Sequence, residues 1–170
     1  HILSNLEGEK SMKSNFKEFL LRELNEVRKE LIETASKIKL PEYDWHPRSD
    51  MKSAKDLLVE ICGCEVWINT LMKGKLIQWD EAEAKVKGED LQSILNDLDN
   101  ARKETIDFLN SKTNEELFNP IENLPQDIKD YWKGDIIPAE AIEFTLRHEY
   151  YHLGQLIYNR WLLGYNPYIE

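Results

Sequence analysis

The chain has 170 residues, enough for one domain with a full core, and its 41% hydrophobic and 32% charged residues are ordinary for a globular fold. Lys and Arg total 22 against 32 Asp and Glu, for a net charge of -10. Binding a duplex requires a basic face that displaces phosphate counterions, so this balance argues against nucleic acid and anionic membrane as main partners, while one basic pocket steering a small anion is compatible with it. No apolar run approaches the roughly 20 residues that cross a bilayer, and no basic segment followed by an apolar core opens the sequence. Cys62 and Cys64, the only cysteines, point about 200° apart on a helix, which disfavours a disulfide between them. Low cysteine use without a leader pattern predicts a reducing, cytoplasmic setting.

Residues 1–11 hold Gly8, several charges and no sustained periodicity, and Met12 follows them. They are expected to be a cloning-derived or disordered N-terminal segment, with a single domain over 12–170. From there Phe16, Leu20, Leu24, Val27, Leu31, Ala35 and Ile38 step by three or four and predict a first helix that Pro41 ends. A second helix is expected after Pro47, with Ser49 or Asp50 as N-cap, Ala54, Leu57, Leu58, Ile61, Ile68 and Leu71 on its buried face, and Gly74 as its stop. Residues 75–89 form a connection. Leu91, Ile94, Leu98, Ala101, Thr105 and Phe108 then predict a third helix with bundle-type spacing. Thr113 and Glu116 form a capping box for a short turn, and 117–137, with Pro120, Pro125 and Gly134, should be mostly irregular. A fourth helix begins near Pro138 and runs to Leu163, before Gly164 and Pro167. No segment alternates with period two. The expected fold is all-α, a four-helix bundle, and the connections 75–89 and 113–137 predict at least one crossover along its length.

The fourth helix carries the chemistry. One of its rows, Ile142, Leu146, Leu153, Ile157 and Trp161, reads as core. The adjacent row is Ala141, Thr145, His148, His152, Gln155 and Asn159, polar but uncharged, as if turned inward. His148 and His152 lie one turn apart on one face, so both rings can reach one ion; the alternative is two polar rings at a helix contact. On the second helix, Glu60 interrupts an apolar line between Leu57 and Ile61, where a carboxylate is costly unless paired or bound to a cation. It is either a third metal ligand or an edge residue that reaches solvent or pairs with Arg147. Cys64, one turn on, is a small buried hydrophobe or a fourth ligand. No nucleophile elbow, phosphate loop or dinucleotide glycine motif is present.

Three segments resemble the DinB-like superfamily of metal-binding four-helix bundles, and the resemblance spans residues 12–166. They are Asp44-Trp-His-Pro47 before the second helix, Ser53-Ala-Lys-Asp-Leu-Leu-Val-Glu-Ile61, and His148-Glu-Tyr-Tyr-His152-Leu-Gly-Gln155. In that family one histidine of the second helix and two of the last bind the metal. The resemblance therefore implies His148 and His152 as ligands and puts Glu60 where the family has its third histidine. The site would then be two histidines and one carboxylate, competent for Zn²⁺ or Fe²⁺, or the metal has been lost. His46, in the preceding loop, stays outside the ligand set. The resemblance also implies an up-down-down-up topology, a homodimer, Zn²⁺ or Ni²⁺ (with Fe²⁺ as a further candidate), and a thiol transferase using a low-molecular-weight thiol such as bacillithiol or mycothiol on a small-molecule substrate. Gln155, Asn159 and Cys64 would surround the metal or its substrate pocket. A metal-dependent hydrolase or oxygenase-like enzyme, and a metal-free interaction module, are the competing classes.

Overall fold

The computed structural model describes the backbone of residues 2–169 and the side chains of residues 16–169. Among the described residues it contains seven α-helices, one 3₁₀ turn and no strand: α1 (Ile2–Ala35), α2 (Leu40–Tyr43), α3 (Ala54–Met72), α4 (Trp79–Glu83), α5 (Leu91–Ser111), the 3₁₀ turn (Glu116–Phe118), α6 (Gln126–Trp132) and α7 (Pro138–Leu162). The expected cloning-derived or disordered segment, residues 1–11, lies where the side chains are outside the described ones, while the described backbone is already helical from Ile2. The four long helices close a ring in which α1 packs on α7, α7 on α3, α3 on α5 and, less extensively, α5 on α1. The segments that join α1 to α3 and α5 to α7 thus link helices that are not extensive neighbours in that ring.

The stripes read from the sequence face the core. Leu20, Leu24, Val27, Leu31 and Ala35 of α1 are buried, as are Leu57, Leu58, Ile61, Ile68 and Leu71 of α3 and Ile94, Leu98 and Ala101 of α5. Gly74 follows α3 with φ of 68°, the left-handed conformation that glycine adopts without a Cβ penalty. The Thr113–Glu116 box forms: Thr113 N–H donates to Glu116 Oε2 at 2.8 Å and Glu116 N–H to Thr113 Oγ1 at 3.2 Å.

Two expectations are corrected and two gain detail. The N-cap of α3 is Ser53, not Ser49 or Asp50, because Ser53 and Asp56 satisfy each other's backbone N–H groups, at 3.2 Å and 2.9 Å. Meanwhile Arg48 pairs with Asp50, and His46 Nδ1 lies 2.7 Å from Met51 O, so residues 46–51 form a loop. The stretch 117–137 contains a helix, α6, which follows Pro125 and ends at Lys133 in the left-handed conformation with φ of 61°. The connection 75–89 contains α4, and Ala82 of that helix is fully buried. Finally, Trp161 is exposed and packs edge-on against Tyr168 of the C-terminal turn rather than in the core, and Ile157 is half-buried.

Gly63 explains how α4 reaches α3. A Cβ at this position would stand 2.9 Å from Glu83 Cγ and 3.3 Å from Glu83 Cα. Gly63→Leu is expected to push α4 outward and to lower stability by about 1–3 kcal/mol, the usual cost of overpacking. Urea denaturation checks the cost, and an unchanged midpoint would show that α4 does not need this approach.

Between the apolar layers lies a charge cluster to which all four long helices contribute. Arg28 of α1 donates from Nε to Glu149 Oε1 of α7 at 2.7 Å and from Nη2 to Glu65 Oε2 of α3 at 2.7 Å. Arg102 of α5 donates from Nε to Glu65 Oε1 at 2.6 Å and also pairs with Glu149. Thr105 Oγ1 donates to Glu65 Oε1 at 2.7 Å. The guanidiniums also cap backbone carbonyls, Arg28 that of Leu98 and Arg102 that of Leu24. Two cations and two anions balance, and all four residues are buried.

Candidate metal centre

Helical geometry builds the site from two neighbouring helices. Four residues make slightly more than one turn, so His148 and His152 of α7 project together, with their Nε2 atoms 3.2 Å apart. Glu60 of α3 meets them from across the α3–α7 contact, its Oε2 lying 3.6 Å from His152 Nε2. One donor atom from each of the three residues falls within 4.8 Å of the others. The arrangement fits a metal ion: donors bonded at about 2.0–2.1 Å around a tetrahedral centre stand roughly 3.4 Å from one another. Two imidazoles and one carboxylate suit Zn²⁺, Fe²⁺ or Ni²⁺.

The surroundings prepare these donors. His152 Nδ1 lies 2.7 Å from Gln155 Oε1; donation of the Nδ1 proton to this oxygen leaves the Nε2 lone pair aimed at the trio. His152 is buried, while His148 and Glu60 are half-buried. Burial, followed by the neighbouring His152, pushes His148 down to about 4, so its imidazole is neutral at ordinary pH. The His148 ring sits between Trp79, with centroids 6.1 Å apart, and Phe144, also at 6.1 Å.

Glu60 carries a second partner that sequence reasoning did not name. The Lys52 ammonium, at the end of the loop before α3, bonds to Glu60 Oε2. Arg147, the partner weighed from sequence, pairs instead with Glu143 one turn away at 2.7 Å. Beside the trio opens a cleft of about 560 Å³ whose lining includes Lys52, Leu57, Glu60, His152, Gln155 and Asn159. Asn159 donates from Nδ2 to Lys52 O at 3.1 Å, which ties α7 to the loop forming the cleft's other wall. Cys64 is wholly buried and lies outside both the trio and the cleft lining, and burial raises its thiol well above the ordinary value. Cys62 is likewise buried and free. His46 remains in its loop, bonded to Met51 O.

Fold and site together define an all-helical bundle with two histidines and one carboxylate gathered on adjacent helices. The chain belongs to the DinB family, whose sequence profile matches residues 12–169. Among solved structures it is similar to a proposed DinB-family member from Exiguobacterium sibiricum, with 18% identity and a TM-score of 0.69 over 90% of this chain and 95% of that one. It is also similar to a DinB-like protein from Bacillus subtilis, with 19% identity and a TM-score of 0.62 over 86% of this chain and 93% of that one. At these identities the likeness shows the fold. No curated protein matches the chain significantly. Among the described residues no helix is long and apolar enough to cross a membrane.

Proposed function

We propose that Glu60, His148 and His152 hold one divalent metal ion, Zn²⁺ or Ni²⁺ before Fe²⁺, and that the protein transfers a low-molecular-weight thiol such as bacillithiol onto an electrophilic small molecule. The observation that carries this reading is the donor geometry, with separations of 3.2 Å and 3.6 Å converging from two helices. A bound ion would supply Lewis acidity, which ionises a thiol and so generates the nucleophile. The chain's own residues do the rest. Gln155 fixes the tautomer of His152, burial keeps His148 neutral, and the cleft leaves one side of the trio open. In the transfer the sulfur forms a bond to the electrophilic carbon, the leaving group departs with its bonding pair, and the thiol proton passes to solvent. The homodimer and the cytoplasmic setting implied by the family resemblance belong to the same proposal.

Elemental analysis of protein purified without added metal is expected to find about one divalent ion per chain, as a three-ligand site with an open position requires. A chloronitroaromatic electrophile should then be consumed only when thiol is present, and a chelator should stop the reaction. Absence of bound metal would reject the reading in favour of an interaction module. Metal-dependent turnover without thiol would replace it with a hydrolase.

A further inference from the structure

Along the α3–α7 seam the trio lies between two clefts. The one past His152, toward Asn159, carries the charged and hydrogen-bonding side chains of Lys52, Glu60 and Gln155 beside Met51 and Leu57. The other lies past His148, toward Phe144 on α7 and Trp67 on α3, and encloses about 300 Å³, near the lower end of the range for small-molecule pockets. Its walls are mostly rings and aliphatic side chains, Trp67, Leu76, Ile77, Trp79, Tyr131 and Phe144 among them, with Gln78 and Asp127 as the polar exceptions. The Trp67 indole N–H is already spent on Ile77 O at 3.0 Å, so this residue offers the cleft only its apolar ring. Trp79 packs against Trp67 with ring centroids 6.4 Å apart at an interplanar angle of 55°, so the pair forms one continuous aromatic wall. The same Trp79, and Phe144, are the rings that contact His148. The walls of the aromatic cleft are thus also the immediate neighbours of a proposed metal ligand. Asp127 is the one charged residue in the lining, and it is exposed at the rim.

We propose that this cleft is a subsite for an uncharged, ring-bearing apolar group of the electrophilic co-substrate, seated against Trp67, Trp79 and Tyr131 with its reactive end directed past Phe144 toward His148. The thiol occupies the cleft that holds Lys52 and Gln155, on the other side of the trio. The assignment of the occupant as co-substrate rests on the transferase reading; the ring-binding cleft itself does not. Apolar walls favour a planar hydrocarbon group, and with Asp127 as the lining's only charge no cation is present to hold a carboxylate. The concave shape and its size suit a bicyclic ring rather than a macromolecular partner.

The test is calorimetric titration of the whole protein with beta-naphthol and, in parallel, with the corresponding naphthalene carboxylate. Beta-naphthol should bind saturably at one site, and the carboxylate should bind at least about tenfold more weakly. Trp79→Ala and Tyr131→Ala should each weaken naphthol binding by about tenfold, and Tyr131→Ala should leave metal content and helicity unchanged. Tyr131 is 69% exposed, so its variant folds even if the Trp79 variant does not. Glu60→Gln protein should bind naphthol as the parent does, whether or not it retains an ion. Equal naphthol affinity in the parent and the Tyr131 variant, or preference for the carboxylate, would overturn the subsite and leave the metal reading standing. The expected naphthol pattern in parent protein that holds no metal as purified would overturn the transferase reading alone.

Discussion

Glu65→Ala or Arg102→Ala is expected to lower the unfolding free energy by about 3–5 kcal/mol, the usual result of removing one partner from a buried ion pair. The reason is the orphaned charge rather than the lost attraction. Glu65 is fully buried and its carboxylate is satisfied by Arg28, Arg102 and Thr105. Without it, two guanidiniums share one carboxylate, Glu149, inside the bundle. Replacing all four charged residues with apolar ones of similar volume should be far milder than any single removal, since no charge is then stranded. The cluster also sets an acid limit. Burial alone would raise the Glu65 carboxyl, but Arg102 and Arg28 outweigh it and hold the group below the ordinary carboxylate range. A depressed folded-state value means the carboxylate stabilises the fold above the unfolded value of about 4.3, and that contribution is lost as pH falls through the folded value. Glu65→Gln should therefore be destabilised at neutral pH but lose less further stability on acidification. Urea unfolding of parent and variant between neutral and acid pH measures both effects. A Glu65→Ala variant within about 1 kcal/mol of the parent would show that the cluster contributes little.

This cluster marks the boundary of what was legible in the sequence. The long helices could be read because their apolar residues repeat every three or four positions: Leu20, Leu24, Val27 and Leu31 in α1 are all buried. Yet Arg28 stands four after Leu24 and three before Leu31, on that same face. Glu65 stands likewise between Ile61 and Ile68, and Arg102 between Leu98 and Thr105. The argument that singled out Glu60, a carboxylate interrupting an apolar row, applies with greater force to Glu65. No motif marks that position. The signal was available as one charge embedded in each of four stripes, two of each sign. His148, His152 and Glu60 were readable because helical spacing and the family pattern both point to them, and the structure gathers all three. Phe144, one turn before His148 on α7, was readable from the same spacing, but Lys52 beside Glu60 and Trp79 beside His148 were not. These contacts depend on how the loop before α3 and the short α4 fold back, and neither carries a periodic signal. The Ser53–Asp56 cap was present in the sequence as Ser-x-x-Asp, but Ser49 and Asp50, closer to Pro47, place the expected cap three or four residues too early.

His148→Ala and His152→Ala are each expected to reduce divalent-metal affinity by at least about 100-fold, more than the 10–100-fold that loss of a residue merely orienting a ligand costs. Gln155→Ala, which frees His152 Nδ1 from its acceptor at 2.7 Å, should fall within that smaller range. The decisive variants are at Glu60. Glu60→Gln keeps the size and removes the charge, and carboxamide is a poor ligand for these ions, so affinity should fall as sharply as for a histidine variant. Glu60→His restores a third imidazole on the same face of α3 and should retain the metal with altered preference among Zn²⁺, Ni²⁺ and Fe²⁺. The present structure sharpens the test, because Glu60 also bonds Lys52, and an ion pair alone would explain a carboxylate at this position. The two roles separate under Lys52→Met. If Glu60 serves as a ligand, removing the competing ammonium leaves the carboxylate more available and metal affinity should rise. If Glu60 is present only to pair with Lys52, Lys52→Met should leave metal affinity where it was and Glu60→Gln should be silent. Competition against a chromogenic chelator measures all six variants on one scale, with circular dichroism confirming that the bundle, whose core includes none of the three donors among its apolar residues, is intact in each. Unchanged affinity in Glu60→Gln would remove Glu60 from the ligand set.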